Sequence, residues 1–146
     1  MSWRVATALE TLRDEVDAAA PQRSKASDGY VADAAHQKRK SDHRPCSCHA
    51  VVCAADWTHS PERGFDSDLF AEWLRLQVIA RREPRVSYVI SDGKIFSGEG
   101  QAHPAGKWRP YSGRNAHIHH VHVSVRHGAA FYDDPAPWGW PPPEGP

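Results

Sequence analysis

A histidine-rich segment near the C-terminal end of the sequence offers the clearest chemistry. It runs His117-Ile118-His119-His120-Val121-His122-Val123-Ser124-Val125, in a chain with ten histidines. Because side chains alternate across a strand, a strand here would place His120 and His122 on one face and the valines on the other. Two buried imidazoles need partners, since an unpaired polar group in a core costs on the order of 1 to 3 kcal/mol. A shared metal ion, or one ligand beside a hydrogen-bonding helper, meets that need; a solvated histidine-rich strand gives the same pattern.

A second group of potential ligands lies earlier in the chain. His43 follows Ser41-Asp42, and Asp56 follows the apolar run 51–55. A catalytic zinc usually takes three protein ligands and leaves the fourth position to water, so His43, Asp56 and His122 would supply the set. Zinc would also neutralise a carboxylate that an apolar strand otherwise holds at a high desolvation cost. Taken singly, a turn aspartate and a surface histidine are the commoner roles.

The elements that position these residues follow from apolar periodicity and turn signals. Two amphipathic helices are predicted, one over residues 3–20 and one that Asp66 or Ser67 caps and that extends to about Arg81. Strands are predicted over 51–55, 86–90, 94–96 and about 119–125, with a hairpin turn at Asp92-Gly93. Together they predict an α+β fold, in which a small antiparallel sheet carries Asp56 and the histidines and helices pack on one face.

Length and charge limit the organisation and the partners. A chain of 146 residues suits one domain, here residues 1–132, with a Pro/Trp-rich tail at 133–146. Lys plus Arg equals Asp plus Glu at 18 each, so no basic field predicts binding to nucleic acid or an anionic membrane. No apolar run approaches the roughly 20 residues of a membrane span. The N-terminal segment is charged and amphipathic rather than a signal peptide, so we expect synthesis in a cytoplasm. We also expect a monomer.

Several motifs occur together in the order known from one group of peptidases. Ser41-Asp42-His43, Val52-Cys53-Ala54-Ala55-Asp56 and His120-Val121-His122 resemble the Ser-x-His, Ala-x-Asp and His-x-His motifs of the LAS zinc peptidases. That group includes D-Ala-D-Ala carboxypeptidases, lysostaphin-type endopeptidases and the hedgehog signalling domain. The chain from about Trp3 to Trp138 resembles small peptidase-like proteins of actinobacterial phages and their hosts. The segments that carry this likeness are Asp33-Ala34-Ala35-His36-Gln37, Ser41-Asp42-His43, Phe65-Asp66-Ser67, Tyr88-Val89-Ile90-Ser91, Trp108-Arg109-Pro110-Tyr111-Ser112-Gly113 and His120-Val121-His122-Val123-Ser124-Val125.

The resemblance implies a hedgehog/DD-peptidase-like fold and a zinc-dependent hydrolase of the peptidoglycan stem peptide or cross-bridge. It implies that His43, Asp56 and His122 bind Zn²⁺ and that His120 assists catalysis. His117-x-x-His120-x-His122 resembles the three-histidine pattern of the murein endopeptidases, so His117 is expected to line the site.

Family members place an acid three residues before the final ligand, where this chain has His119. The general base is then His120 or His117, because His119 points away from His122 on strand geometry.

The remaining roles concern substrate. The resemblance puts a cationic or amide side chain upstream of the first ligand, which favours Arg39 as a catalytic oxyanion-stabilising residue and Arg23 or Gln37 as substrate-binding residues. Arg109 is a further candidate for the oxyanion or the substrate carboxylate. Ser41 is expected to order the His43 loop, and two aromatic residues are expected to wall the cleft, namely Trp108 and Tyr111.

Three alternatives stay open. Cys46, Cys48, His49 and Cys53 could form a structural zinc site, although a loop with reduced thiols fits their spacing better. The chain could be a catalytically inactive, zinc-containing module that binds cell wall, as hedgehog relatives imply. A histidine-metal nuclease is the third class, which the balanced charge disfavours. As a peptidase without a signal peptide, the protein would act at the wall after release or as part of a virion.

Overall fold

The computed structural model describes residues 3–30, 50–113 and 117–143. These residues form seven strands and three α-helices: β1 (Arg4–Val5), α1 (Thr7–Ala19), β2 (Val51–Val52), β3 (Ala54–Thr58), α2 (Ser67–Ile79), β4 (Val86–Ser91), β5 (Lys94–Ser97), β6 (Arg109–Pro110), β7 (His120–Val125) and α3 (Ala129–Tyr132). Five strands form one antiparallel sheet in the order β3-β7-β4-β5-β6. The predicted α+β class with an antiparallel sheet is therefore confirmed.

Helix α1 begins later than its apolar spacing predicts. Its buried face consists of Ala8, Leu9, Leu12 and Val16. The residues before it form β1 instead, which pairs in parallel with β2 through the amide of Arg4 and the carbonyl of Ala50. The β-branched Val5 suits that strand, so tertiary pairing replaces the first predicted turn of helix.

Helix α2 begins where a capping aspartate predicts. Oδ1 of Asp66 accepts hydrogen bonds from the amides of Asp68 and Leu69 at 3.0 and 3.1 Å, which satisfies two of the open donors of the first turn. Phe70 and Leu74 are fully buried. Leu69, an apolar residue of the same helix, is 66% exposed, because a residue directly before Phe70 projects about 100° away from it around the helix.

The predicted hairpin joins β4 to β5. Asp92 and Gly93 have φ of 49° and 73°, and two successive positive φ values are typical of a type I′ turn, which matches the twist of the flanking strands. Asp-Gly suits this turn because both residues tolerate the left-handed region. The turn fixes the register in which Ile90 pairs with Ile95.

The apolar run 51–55 forms two short strands rather than one. β2 pairs with β1, and after Cys53 the chain enters the main sheet as β3, which pairs with β7. Asp56, predicted to follow the strand, lies inside β3 directly opposite His122. The strand continues through Trp57 and Thr58 because both have high β propensity and pair with β7.

The two faces of the sheet have different characters. On one face, Ala55, Val123 and Val89 lie side by side on three adjacent strands and pack into the hydrophobic core with α1 and α2. On the other face, Asp56 and His122 lie side by side. Pleating therefore separates a helix-covered apolar face from a face that carries ionisable groups.

Residues of the predicted tail pack against the same core. The indole of Trp138 is 7% exposed, and its Nε1 donates a hydrogen bond to the carbonyl of Ala8 at 2.8 Å. Trp140 contacts Phe70 edge-to-face at 5.1 Å, and the carboxylate of Glu15 accepts from three backbone amides between 138 and 140. Residues 133–143 thus contribute aromatic side chains to the domain without regular secondary structure.

Within residues 3–30, 50–113 and 117–143, none of the helices combines the length and apolar character that a bilayer span requires.

Candidate functional site

Asp56 and His122 form the centre of the ionisable cluster. They are direct partners across β3 and β7, and His122 Nδ1 lies 3.2 Å from Asp56 Oδ1. The side chain of His122 is 4% exposed and that of Asp56 is 19% exposed. The Asp56 carboxylate is therefore partly exposed to solvent, whereas His122 beside it is buried.

His120 lies two residues before His122 on the same face of β7 and belongs to the same cluster. It lies opposite Thr58, and its Nε2 is 3.7 Å from Asp56 Oδ2. The two carboxylate oxygens of Asp56 thus face two different imidazoles. This is the arrangement that period-two alternation predicts for His120 and His122.

His117 completes the cluster from the loop before β7. Its ring centroid is 4.6 Å from that of His120 and 5.3 Å from that of His122. The backbone of His117 has φ of 56°, and its carbonyl accepts a hydrogen bond from the amide of Asp92 in the hairpin turn. A non-glycine residue in this region is uncommon, so the surrounding contacts hold the loop in place. Tyr111 packs against His117 at 5.8 Å.

Asp56, His117 and His120 bring together the donor chemistry and spacing that a zinc site needs, and His122 lies beside them against Asp56. Zinc bonds to nitrogen and oxygen of about 2.0 to 2.2 Å in a tetrahedron place neighbouring ligand atoms about 3.4 Å apart. The distances of 3.2 Å from Asp56 to His122 and 3.7 Å from Asp56 to His120 bracket this value. One ligand atom from each of Asp56, His117 and His120 also lies within 4.8 Å of the other two. Asp56 with His117 and His120 can therefore hold a metal ion, whereas the predicted ligand His122 is close to Asp56 but lies outside this group of three.

A second group with metal-ligand chemistry has a simpler explanation. His59, Asp66 and Asp68 bring one donor atom each within 4.8 Å of one another. His59 Nδ1 lies 3.1 Å from the amide of Ser67 and 2.9 Å from its hydroxyl, and Asp66 caps α2. These contacts stabilise the N-terminus of α2, where partial positive charge favours carboxylates.

Arg23, which we predicted to bind substrate, lies in a buried ion-pair network. Its side chain is 1% exposed, Nη1 and Nη2 bind the Asp28 carboxylate at 2.9 and 2.8 Å, and Nε binds Asp17 at 2.8 Å. Asp28 also accepts from the amide and hydroxyl of Thr58. Arg23 therefore supports β3 through Asp28, because its N–H donors already bind carboxylates of the protein.

The network determines the ionisation of Asp28. Burial acts to raise its pKa, but the hydrogen bonds from Arg23 and Thr58 outweigh burial and hold the pKa of the Asp28 carboxyl below its ordinary value. Burial acts to lower the pKa of Arg23, and the hydrogen bonds to Asp28 and Asp17 raise it above its ordinary value. Both groups are therefore charged in the folded protein at neutral pH.

Trp108, the other predicted substrate-binding residue within the described chain, does not join the histidines. Its indole packs edge-to-face on Phe96, a residue of the helix-covered core face, and its Nε1 donates to Glu72 at 2.9 Å. With residues of α2 and the β4–β5 hairpin it lines a cavity of about 190 Å³. Because neighbouring residues of a strand point to opposite faces, Arg109 rather than Trp108 faces the histidine side.

Arg109 lies in the same row of the sheet as the metal-ligand candidates. It pairs with Ile95, Ile95 pairs with Ile90, and Ile90 pairs with His122. Its Nη1 is buried and makes no hydrogen bond within the part of the chain that the structure describes. A guanidinium on this face can bind an anion presented beside the cluster.

The other predicted residues divide into two sets. Those outside the described residues are Gln37, Arg39, Ser41 and His43, together with Cys46, Cys48 and His49 of the alternative site. Cys53 is described; it is 1% exposed and packs in the hydrophobic core, so it points away from the face that carries Asp56.

Two contacts of the cluster were not predicted from sequence. The hydroxyl of Ser124 lies 2.8 Å from His122 Nε2, and the ring of Tyr88 stacks on the His122 ring at 5.2 Å with 10° between the planes. Ser124 could have been found, since it follows His122 at the spacing that keeps side chains on one face. Tyr88 depends on the pairing of β4 with β7, which no local pattern encodes.

Comparison with known proteins supplies no further assignment. The chain matches no family model, no curated protein and no solved structure.

Proposed function

We propose that the protein is a zinc-dependent peptidase that hydrolyses peptide bonds of bacterial peptidoglycan, in the stem peptide or the cross-bridge. The convergence of Asp56 with His117, His120 and His122 carries this proposal. A structural zinc site is closed by four protein ligands, whereas a catalytic site keeps a position open to solvent. The partial exposure of Asp56 favours the second kind.

Bound zinc would supply an activated water and would polarise the scissile carbonyl. Asp56 is the ligand on which the resemblance and the converging donor atoms agree; the resemblance adds His43 and His122, and the geometry adds His117 and His120. His120, beside Asp56, is the best-placed group to move a proton during hydrolysis, and His117 packs against its ring. Arg109 would bind a substrate carboxylate on the same face.

The choice of peptidoglycan rests on the ordered motifs. The antiparallel sheet carries the Ala-x-Asp motif on β3 and the His-x-His motif on its neighbour β7, which is the arrangement that a metal site shared by the two motifs requires. We therefore extend the proposal to a fold of the hedgehog/DD-peptidase type. Action at the wall would follow release from the cell or incorporation into a virion.

A zinc-containing module that binds cell wall without cleaving it is the second candidate. The observation in its favour is His119, which occupies the position where related peptidases carry an acid. His119 is exposed, and its carbonyl accepts a hydrogen bond from the amide of His59. Catalysis then depends on His120 or His117 as the base, and a module that lacks this function would still hold zinc.

Purified protein loaded with zinc and incubated with peptidoglycan fragments tests the two candidates. We expect mass spectrometry to detect new amino or carboxyl termini, and we expect Asp56→Asn and His122→Ala to abolish them. His103→Ala, which alters an exposed turn residue, serves as the matched control and should retain activity. Sedimentation with intact walls without any new termini would favour the binding module, and absence of both would refute the proposal.

A further inference from the structure

The imidazole of His122 is held on three sides. Its Nδ1 faces Asp56 Oδ1 at 3.2 Å, its Nε2 faces Ser124 Oγ at 2.8 Å, and its ring stacks on Tyr88. Ser124 itself has no exposed surface. The hydroxyl is therefore shielded from water and lies on the strand that carries the histidine.

We infer that Ser124 is a positioning residue that holds Nε2 of His122 and so turns Nδ1 toward the Asp56 carboxylate and toward a zinc ion bound beside it. This inference rests on the zinc centre of the proposed function. A neutral imidazole carries one N–H and one lone pair, and the hydrogen bond at one nitrogen decides which nitrogen can bind a metal.

Nδ1 is the ring nitrogen that faces Asp56, and Nδ1 is therefore the nitrogen available to a metal ion bound there. A distance of 3.2 Å suits two ligands of one zinc ion, and without the ion it suits a hydrogen bond from Nδ1–H to the carboxylate. Nε2 points to Ser124 instead, and a hydroxyl oxygen accepts a hydrogen bond from Nε2–H. Stacking on Tyr88 resists the ring rotation that would exchange the two nitrogens.

Ser124 also suits the protein before zinc binds. A hydroxyl is both donor and acceptor, so it can donate to Nε2 when the proton lies on Nδ1 beside Asp56. An alanine provides neither contact and leaves the buried Nε2 without this partner. Loss of such an outer contact typically weakens metal binding by about 10- to 100-fold.

Zinc affinity, measured by competition with a chelating dye, tests the inference. We expect Ser124→Ala to bind zinc at least about tenfold more weakly than the unaltered protein. Ser97→Ala removes another buried hydroxyl, two strands away on β5, and should leave the affinity unchanged. Equal affinity of Ser124→Ala and the unaltered protein would overturn the inference.

Nitrogen-15 NMR of the unaltered, zinc-loaded protein gives a readout that does not depend on folding of a variant. We expect the Nε2–H tautomer at His122, and a proton on Nδ1 would overturn the inference. The outcome also separates the two proposals. Zinc binding that Ser124 supports, without peptide cleavage, refutes the peptidase alone, whereas a protein that binds no zinc refutes both.

Discussion

Asp28 joins the N-terminal segment to β3, and replacing it with asparagine tests whether Arg23 stabilises the fold. The carboxylate receives two hydrogen bonds from Arg23 and two from Thr58, at 2.7 to 2.9 Å. Asp28→Asn keeps one oxygen as an acceptor. An NH₂ group replaces the other oxygen and points its N–H groups at the guanidinium. At least one charge-assisted hydrogen bond is therefore replaced by repulsion.

The magnitude follows from the burial of the pair. The side chains of Arg23 and Asp28 are 1% and 18% exposed, so solvent screens their attraction only weakly. Removing one partner of a buried ion pair costs roughly 3 to 5 kcal/mol, and Asp17 remains as a second carboxylate for Arg23, so we expect about 3 kcal/mol. For a domain of this size that corresponds to a fall in Tm of roughly 6 to 12 °C.

The same substitution should change the acid dependence of stability. Because the folded pKa of Asp28 lies below its unfolded value, its contribution is complete above the ordinary aspartate pKa and is lost as pH falls through the folded pKa. Asp28→Asn cannot titrate. The difference in unfolding free energy between the two proteins should therefore be constant near neutrality and shrink as the pH falls below about 4.

Urea unfolding at several pH values, followed by tryptophan fluorescence, measures these differences. A double-mutant cycle with Arg23→Met isolates the pair: we expect the double variant to be more stable than Arg23→Met alone, which leaves a buried carboxylate unpaired. Asp17→Asn, at a 30% exposed partner, is the control and should cost less. A loss below 1 kcal/mol for Asp28→Asn, with full loss of peptide cleavage in Arg23→Met, would refute the structural role and favour substrate binding.

Three further predictions follow from contacts elsewhere. Arg85→Met should lower the unfolding free energy by roughly 3 to 5 kcal/mol in chemical denaturation, because it leaves the buried carboxylate of Glu83 without its cation. The double variant with Glu83→Gln should recover part of the loss. His59→Ala removes the acceptor for the amide of Ser67 and should cost about 1 kcal/mol in the same assay, whereas no loss would show that Asp66 alone caps α2. Arg109→Gln should raise the KM for peptides with a free carboxylate far more than for their amides; an equal change for both would exclude carboxylate binding.

Local patterns predicted the elements well where one signal dominates. The cap at Asp66 and the turn at Asp92-Gly93 each depend on short-range chemistry, and both lie where expected. The start of α1 was wrong because β1 forms only when β2 is present to pair with it. Pairing partners distant in sequence are not visible in the periodicity of either segment.

The candidate site was predictable in its residue types more than in its surroundings. Alternation along β7 predicted that His120 and His122 share one face, and the structure places the predicted ligand Asp56 opposite His122 on the neighbouring strand. The prediction for Arg23 relied on the resemblance, and the prediction for Trp108 relied on residue type. Neither carries information on whether a carboxylate of the protein already occupies the guanidinium, or on which face of β6 an aromatic residue lies.

The hydrophobic core holds the candidate site together, although none of its side chains is a candidate metal ligand. Val121 and Val123 have no exposed surface, and Val123 lies opposite Ala55 on β3. A slip of one residue between the strands would turn every side chain of β7 over, which would bury imidazoles among the helices and expose valines. The cost of that exchange fixes the register, and the register places Asp56 opposite His122. The apolar residues beside the histidines therefore determine the spacing between Asp56 and the histidines. That spacing would change if β7 lost its alternation of apolar and polar residues.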